Sequence, residues 1–281
     1  MVLCSIHLIA LKDGTTPATF LSALREAGIK PLVQARVLRW MILPRELSAG
    51  HLLARNTRWD MLVVLAEGSR LSPSVRSASV AAEWTVTAGT SAKLLSGYGA
   101  LNAQLLNATD VVPLDVDLAA AARADSSRNL ELTPELADFV AALPPHLRTH
   151  PVSMLNLISF TAGGRPQYVK YGQEFSARVG ARYGGRVKIV GKVTSSGVGG
   201  RGNDDDAAAA AARQEGWDEI AFVHYPSIAH FASMSCDKDY QDVNHKYRLG
   251  ALKDTFIICV LEVTDDGEVV GGPKKENRVK L

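Results

Sequence analysis

The chain has 281 residues, of which 47% are hydrophobic and 21% are charged, a composition that is ordinary for a folded protein and too apolar for general disorder. This length exceeds the ~100–150 residues of a usual domain, so we expect two packed units or one large one. A formal charge of +2 with scattered Lys and Arg argues against nucleic acid as a partner. No apolar run reaches the ~18 residues that span a bilayer, so we expect no membrane partner either.

Neither the cysteines nor any short motif indicates a bound metal or nucleotide. Cys4, Cys236 and Cys259 are an odd set without the spacing of a disulfide framework or a zinc site, so reduced thiols and a cytoplasmic location are the simplest interpretation. Fingerprints for dinucleotides, phosphate loops, zinc proteases and serine hydrolases are missing, and we predict no cofactor. Haem stays open, because one axial histidine such as His224 or His245 would suffice.

The first unit is predicted to contain three strands and two helices. The pattern indicates strands over 2–11, 32–43 and 61–66 and helices over 17–27 and 73–87. Thr15 or Thr16 before Pro17 makes a plausible helix cap, and Gly28 stops that helix. The segment that follows, 111–150, is interpreted as a linker with one docked helix, from Thr133-Pro134 to Ala142.

The second unit is predicted to repeat this order. Strand 152–160 precedes a Gly163-Gly164 turn and a helix that opens at Pro166 and closes at Gly184-Gly185. Strands 187–193 and 219–225, a helix capped by Ser227 and a strand over 256–263 complete the unit. The glycine-rich insert 195–216 is interpreted either as a mobile lid over a pocket or as a tolerated surface insertion.

A sequence echo links the two units. Trp59-Asp60 opens a short apolar run near the N-terminus, and Trp217-Asp218 opens another near the C-terminus. Each half also has an apolar strand upstream and a serine-initiated helix downstream. We therefore predict an α+β protein of two tandem ferredoxin-like repeats with the order β-α-β-β-α-β, over 1–110 and 151–265, followed by a charged tail over 266–281.

The second repeat resembles a known family in the order and spacing of its residues. The matching positions are Val152–Ile158, Tyr168, Tyr171-Gly172, Gly184–Val187, Trp217-Asp218, Tyr225–Ser227, Phe231, Met234, Tyr240, His245, Arg248, Ala251-Leu252 and Asp254-Thr255. Over roughly 150–263 they resemble domain-of-unknown-function family 1330 of the dimeric α/β-barrel superfamily. The first repeat lacks the His-x-x-Arg and Asp-Thr pair and resembles a degenerate copy.

The resemblance implies a barrel that two ferredoxin-like sheets close, here within one polypeptide. The wider superfamily includes cofactor-free monooxygenases, polyketide cyclases, small-molecule lyases and isomerases, and haem peroxidases. By this analogy we expect a cofactor-independent enzyme that acts by proton transfer on an apolar, oxygenated metabolite, in the manner of a cyclase, lyase or isomerase. A non-catalytic ligand-binding or structural barrel and a cofactor-free monooxygenase are the alternatives, and a homodimer is possible.

Seven residues are candidates for the site. His224 interrupts an apolar strand and could be a general base, although such a histidine is more often a hydrogen-bonded core residue. His245 and Arg248, three apart on a helix, could grip a carboxylate or an enolate oxygen, or could only anchor that helix. The predicted substrate-binding residues are Asn156, Tyr171, His7 and Tyr240. For Asn156 the alternative is a side chain that faces solvent or bonds the neighbouring backbone.

Their expected arrangement follows from the echo. His7 corresponds to Asn156 if the two strands align, and if both also face inward an imidazole stands opposite an amide in one barrel. A large cavity lined by His224 and Asn156 would favour the enzyme. An interior filled by Phe, Trp and Leu would favour the structural alternative.

Overall fold

A computed structural model describes residues 1–66, 69–108, 111, 114, 117, 118, 120, 121, 123–198 and 215–270, with the backbone alone for 195–198. Most of the glycine-rich insert and most of the charged tail therefore lie outside the described residues. The prediction of a mobile lid falls on that part of the insert.

The described chain alternates strands and helices. The strands are β1 (Val2–Leu11), β2 (Val33–Ile42), β3 (Met61–Ala66), β4 (Val80–Thr90), β5 (Val152–Phe160), β6 (Arg186–Val198), β7 (Glu219–Tyr225) and β8 (Leu252–Glu262). The helices are α1 (Pro17–Glu26), α2 (Ala49–Leu52), α3 (Pro73–Ser79), α4 (Ala92–Leu106), α5 (Pro134–Ala142), α6 (Pro145–Arg148), α7 (Arg165–Glu174), α8 (Ile228–Ser235) and α9 (Lys238–Val243). Two π-helical turns, Phe175–Gly180 and Asn244–Arg248, continue α7 and α9.

Helix starts follow the expected capping chemistry. The side chains of Thr16, Ser72, Thr133 and Ser227 each accept a hydrogen bond from the backbone N–H three residues further on. Such a cap satisfies one of the N–H groups that the first helical turn leaves without a partner. The predicted starts of α1, α5 and α8 are therefore confirmed.

The eight strands form one closed antiparallel barrel. Their order around it is β1-β3-β2-β8-β5-β7-β6-β4, and β4 returns to β1. Each half contributes four neighbouring strands, in the order fourth, first, third, second. The halves join where β2 pairs with β8 and where β4 pairs with β6. The protein is therefore a mixed α+β barrel in which both seams join strands from different halves.

The inside of the barrel is filled by apolar side chains from all eight strands. Alternate residues point inward, as expected for a pleated strand. Phe256 lies among three indoles, with ring centroids 5.4 Å from Trp40, 5.6 Å from Trp84 and 5.3 Å from Trp217. The rest of this interior cluster is largely Leu, Ile, Val and Ala. An interior filled in this way is the arrangement that the structural alternative predicts.

Both ends of the barrel are covered. At one end α4 brings Tyr98, which is buried and belongs to the interior cluster. At the other end α2 brings Leu52, and the indoles of Trp59 and Trp217 donate to Leu52 O and Ser48 Oγ. Glu215 accepts hydrogen bonds there from Trp84 Nε1 and from Ser48. The helices on the outer face complete the fold: α1 and α3 on the first half, and α5, α7, α8 and α9 on the second.

One predicted helix is wrong. The sequence indicated a helix over 73–87, but the helix ends at Ser79 and residues 80–90 form β4. Trp84, Val86 and Ala88 face the barrel interior at the period of two that a strand requires. The prediction continued the serine-initiated helix past Ser79, whereas residues 80–90 pair as a strand with β1 and β6.

Candidate anion-binding site

The Trp-Asp echo marks equivalent positions in the two halves. The N–H of Asp60 donates to Ile9 O, and that of Asp218 donates to Ile158 O. The carboxylate of Asp60 accepts from Leu11 N at 2.8 Å, and that of Asp218 accepts from Phe160 N at 2.7 Å. Ile9 therefore corresponds to Ile158, and counting back along the two strands equates His7 with Asn156.

His7 and Asn156 point away from the barrel interior. Their neighbours Ile6, Leu8, Leu155 and Leu157 line that interior, so the alternation of the strand turns His7 and Asn156 outward, under the helices. The condition that both face inward is therefore not met, and a cavity beside His224 inside the barrel does not include Asn156. The amide nitrogen of Asn156 donates to Met154 O and to Ala221 O at 3.1 Å. Its side-chain oxygen is the atom left to meet a ligand.

The two halves also match at the helix that leads into the last strand. Lys12 N donates to Ser79 O in the first half, and Thr161 N donates to Ala251 O in the second. Three residues before these acceptors stand Arg76 and Arg248. Four residues after them stand Glu83, opposite Ile9, and Thr255, opposite Ile158. Arg76 therefore corresponds to Arg248, and Glu83 to Thr255.

In the first half, the side chain that stands beside the arginine is a carboxylate, that of Glu83. Glu83 receives hydrogen bonds from His7 Nδ1 at 2.7 Å and from Arg76 Nε at 2.8 Å. Burial raises the pKa of Glu83, but the hydrogen bond and charge of His7 and the ion pair with Arg76 outweigh that effect and hold the pKa low. The first half is thus an electrostatically complete triad, although His7 Nε2 finds no partner among the described residues.

In the second half the equivalent arginine is buried without such a partner. Arg248 is only 2% exposed, and its guanidinium donates to Asn244 Oδ1 at 3.5 Å. Within the described residues no carboxylate lies within 4 Å of it. A buried guanidinium is costly unless a charge of opposite sign neutralises it. This position therefore favours an anion.

Tyrosines surround Arg248. The hydroxyl of Tyr168 interacts with the guanidinium, and the charge of Arg248 reaches the phenols of Tyr171, Tyr225 and Tyr240. Tyr171 and Tyr240 place their hydroxyls 3.4 Å apart. We call Arg248, Asn244, Tyr168, Tyr171 and Tyr240 the Arg248 site.

The tyrosines of this site are hydrogen-bond donors at neutral pH. Burial raises the pKa of Tyr168, Tyr171 and Tyr240, and the positive charge of Arg248 only partly opposes this. The O–H groups therefore stay protonated beside a fixed cation. Glu219, close enough to influence Tyr168, is itself a weaker acid than usual, because burial raises its pKa more than Arg165, 3.4 Å away, lowers it. Protonated phenols and a basic carboxylate suit proton transfer.

His245 does not join Arg248. Its side chain is exposed, whereas that of Arg248 is buried. The expectation that they share a helix face assumed an α-helix, but Asn244–Arg248 is a π-helical turn with a different spacing of side chains. Of the seven candidates, the structure brings together Arg248, Tyr171 and Tyr240. His7 lies in the first half, beside Glu83.

His224 lies on the other side of the sheet, inside the barrel. It follows Ile220 and Phe222 on the inner face of β7 and is 2% exposed, as expected for a ring directed away from solvent. Burial, aided by the charges of Lys188 and His230, lowers its pKa to about 3. Its Nδ1 finds no hydrogen-bond partner in the described part of the chain. An imidazole of this pKa is a weak base at neutral pH.

A buried ion pair supplies the positive charge near His224. Lys188, on β6, is fully buried and hydrogen-bonds to Glu262 and to Asn102 Oδ1. Its ammonium lies 4.7 Å from the centre of the Phe222 ring. Sequence reasoning missed this pair and the Arg76–Glu83 pair. The first was marked only by a lone Lys in an apolar strand, and the second by the shared seven-residue spacing of Arg76–Glu83 and Arg248–Thr255.

The described residues show neither a metal-ligand cluster nor a membrane-spanning helix. They hold no group of three or more His, Cys, Asp or Glu side chains placed to bind a metal ion. None of their helices is long and apolar enough to cross a bilayer.

No protein-family model matches the chain, and no curated protein matches it. A structural-genomics target of unknown function from Rhodopseudomonas palustris is 26% identical, over 46% of this chain and 92% of its own, with a TM-score of 0.34. A protein from Lactobacillus acidophilus described as a "putative monooxygenase" is 7% identical over 97% of this chain and 98% of its own, with a TM-score of 0.43. Membership of family 1330 therefore stays a proposal.

Proposed function

We propose that the protein is a small-molecule enzyme that works without a cofactor, and that the Arg248 site binds the oxygen of an otherwise apolar substrate. The reaction class is proton transfer, as in an isomerase, lyase or cyclase. The observation that carries this proposal is the buried Arg248 guanidinium, which lacks a carboxylate partner among the described residues and stands beside protonated tyrosines. Such a group stabilises negative charge as it develops on a substrate oxygen.

Each residue then has a distinct part. Arg248 holds the oxygen that becomes an enolate, and Tyr168 donates a hydrogen bond to it, because burial keeps its phenol protonated. Glu219 accepts a proton from the adjacent carbon, since its raised pKa makes it a stronger base than an exposed carboxylate. Tyr171, Phe175 and Met154 belong to the apolar surroundings and keep water away. Asn156 offers its side-chain oxygen to a hydroxyl of the substrate.

The division of the chain into two repeats is part of the same proposal. Both halves have the strand order fourth, first, third, second, which is that of a ferredoxin-like unit, and both seams join strands of different halves. We infer two tandem ferredoxin-like repeats, over 1–110 and 151–265, that build within one chain the barrel that paired chains build in the dimeric α/β-barrel superfamily. A homodimer of the whole chain also stays a proposal.

A second function is favoured by a different observation. The filled barrel interior suits a non-catalytic protein whose halves pack into each other, and in that case Arg248 would serve only to hold α9 and the last strand together. The two functions make opposite predictions for the removal of Arg248. A structural arginine stabilises the ligand-free protein, whereas an arginine kept for binding is buried at the expense of stability.

The experiment is hydrogen–deuterium exchange at carbon. Enolisable ketones and keto acids are incubated with the protein in D₂O, and the loss of the C–H signal beside the carbonyl is followed by proton NMR. We expect exchange with the natural protein and a loss of at least about 100-fold in Arg248→Gln. Arg76→Gln, the equivalent change in the first half, is the matched control and should retain exchange.

Stability separates the alternatives. Under our proposal the melting temperature of Arg248→Gln stays equal to that of the natural protein or rises. If Arg248→Gln melts lower and no compound exchanges, the non-catalytic function is correct and the enzyme proposal is wrong.

A further inference from the structure

We infer that the anion recognised by the Arg248 site is a carboxylate, and that Glu83 is its built-in counterpart in the first half. This inference rests on the proposal that the Arg248 site binds a ligand. It adds the chemical class of that ligand, and it explains why only one of the two equivalent arginines has a carboxylate partner among the described residues.

The two arginines occupy equivalent positions in the two halves. Arg76 and Arg248 stand at the same place relative to the strand that follows, as the hydrogen bonds to Ser79 O and Ala251 O show. In the first half Arg76 contacts Glu83 through two nitrogens, Nε at 2.8 Å and Nη2 at 3.4 Å. This two-point contact is how a planar guanidinium recognises a planar carboxylate.

The second half keeps the arginine and removes the acid. At the position of Glu83 it has Thr255, whose hydroxyl is engaged with Leu157 O at 2.7 Å and so does not turn to Arg248. Compared with Glu, Thr lacks the carboxylate group on this face of the sheet. Among the described residues, Arg248 therefore lacks the partner that Glu83 provides for Arg76.

The side chains around the two arginines also differ in a way that fits a bound carboxylate in the second half only. In the first half, α1 covers the outer face with Phe20, Leu21 and Leu24, which offer no hydrogen bonds. In the second half, α7 and α9 bring the hydroxyls of Tyr168, Tyr171 and Tyr240 towards Arg248. The first half needs no donors beyond His7 and Arg76, because its acid is already satisfied. The second half supplies donors for a carboxylate that arrives from outside.

A substitution that introduces the acid of the first half into the second half tests the inference without a known ligand. Thr255→Glu places the acid of the first half opposite Arg248, and Thr255→Gln places a neutral side chain of the same size there. We expect the melting temperature of the ligand-free Glu variant to exceed that of the Gln variant by about 5 °C or more, because only the acid neutralises the buried guanidinium. Equal melting temperatures for the two variants would overturn the inference.

A double variant shows that the effect passes through Arg248. In an Arg248→Gln background the difference between Glu and Gln at position 255 should disappear or reverse, since the acid then has no cation. If the Glu variant keeps its advantage without Arg248, the acid acts elsewhere and the inference fails. Glu83→Thr is the reciprocal change, and it should lower the melting temperature by leaving Arg76 without its acid.

Binding of a simple probe separates this inference from the proposed enzyme. Benzoate and hexanoate are titrated by calorimetry, with benzamide as the neutral control. We expect one carboxylate per chain in the natural protein, and at least tenfold weaker binding in Thr255→Glu and Arg248→Gln. Carboxylate binding without any carbon exchange would disprove the enzyme and support the inference. Carbon exchange of neutral ketones without carboxylate binding would support the enzyme and disprove the inference.

Discussion

The buried histidine of the barrel should make the protein sensitive to mild acid. His224 has a pKa of about 3 in the folded chain against 6.5 for the free side chain, chiefly because burial disfavours its charged form. Below pH 6.5 the unfolded chain therefore takes up a proton that the folded chain refuses. Folding stability is complete above pH 6.5 and is lost as the pH falls towards 3.

The loss can be worked out from these two values. Between pH 7 and pH 5, proton uptake at His224 raises the logarithm of the unfolding equilibrium constant by about 1.4. This corresponds to a loss of about 2 kcal/mol in the free energy of unfolding. For a chain of this size that is a fall in melting temperature of about 4–8 °C. His224→Leu removes this term and costs little at pH 7, since Nδ1 has no hydrogen-bond partner among the described residues.

The assay is urea unfolding of the natural protein and His224→Leu at pH 7 and pH 5. The free energy of unfolding of the natural protein should fall by about 2 kcal/mol more than that of the variant. His245→Leu, at an exposed histidine, is the matched control and should follow the natural protein. If the natural protein and His224→Leu lose equal stability, the reasoning about burial is refuted.

Three further predictions concern the barrel. Lys188→Met should lower the free energy of unfolding by about 3–5 kcal/mol, because it leaves Glu262 buried without its cation, and adding Glu262→Gln should recover most of that loss in urea unfolding. Asp254→Asn should cost about 1–3 kcal/mol by the same measurement, because the carboxylate accepts from three consecutive N–H groups of the loop 45–47; an unchanged midpoint would contradict this. Residues 1–110 expressed alone should be poorly soluble, because β2 and β4 lose their partners and the inner face is exposed; a monodisperse, cooperatively folded monomer in gel filtration and thermal melting would count against this.

Much of the fold could be predicted from local chemistry. The Trp-Asp pairs are fixed in each half by the same two hydrogen bonds, so their echo in the sequence reflected equivalent positions in space. Thr133 and Ser227 cap helices as expected because capping depends only on neighbouring residues. The strand over 80–90 was missed since the prediction continued the preceding helix past Ser79 and only pairing with two distant strands makes this segment extended.

The site was harder to predict because it depends on which face of a strand a residue occupies. Asn156 and His224 both interrupt apolar strands, yet they lie on opposite faces of the same sheet. A shift of one residue exchanges the faces, and the two-sided burial of these strands gives little polar alternation to fix it. Arg248 was identified, but Glu83 was not, because its significance appears only when its partners His7 and Arg76 are seen around it.

The seams of the barrel have a consequence for how the chain reaches its folded state. β2 pairs with β8, which joins residues near position 40 to residues near position 260. Contacts so far apart in sequence form late and slow the search for the native topology. At ~5–20 residues per second, a ribosome needs on the order of 10–40 s after β2 to complete β8. During this interval the nascent first half has an open sheet and an uncovered apolar face, so the cell must shield it from its neighbours until the last strand arrives.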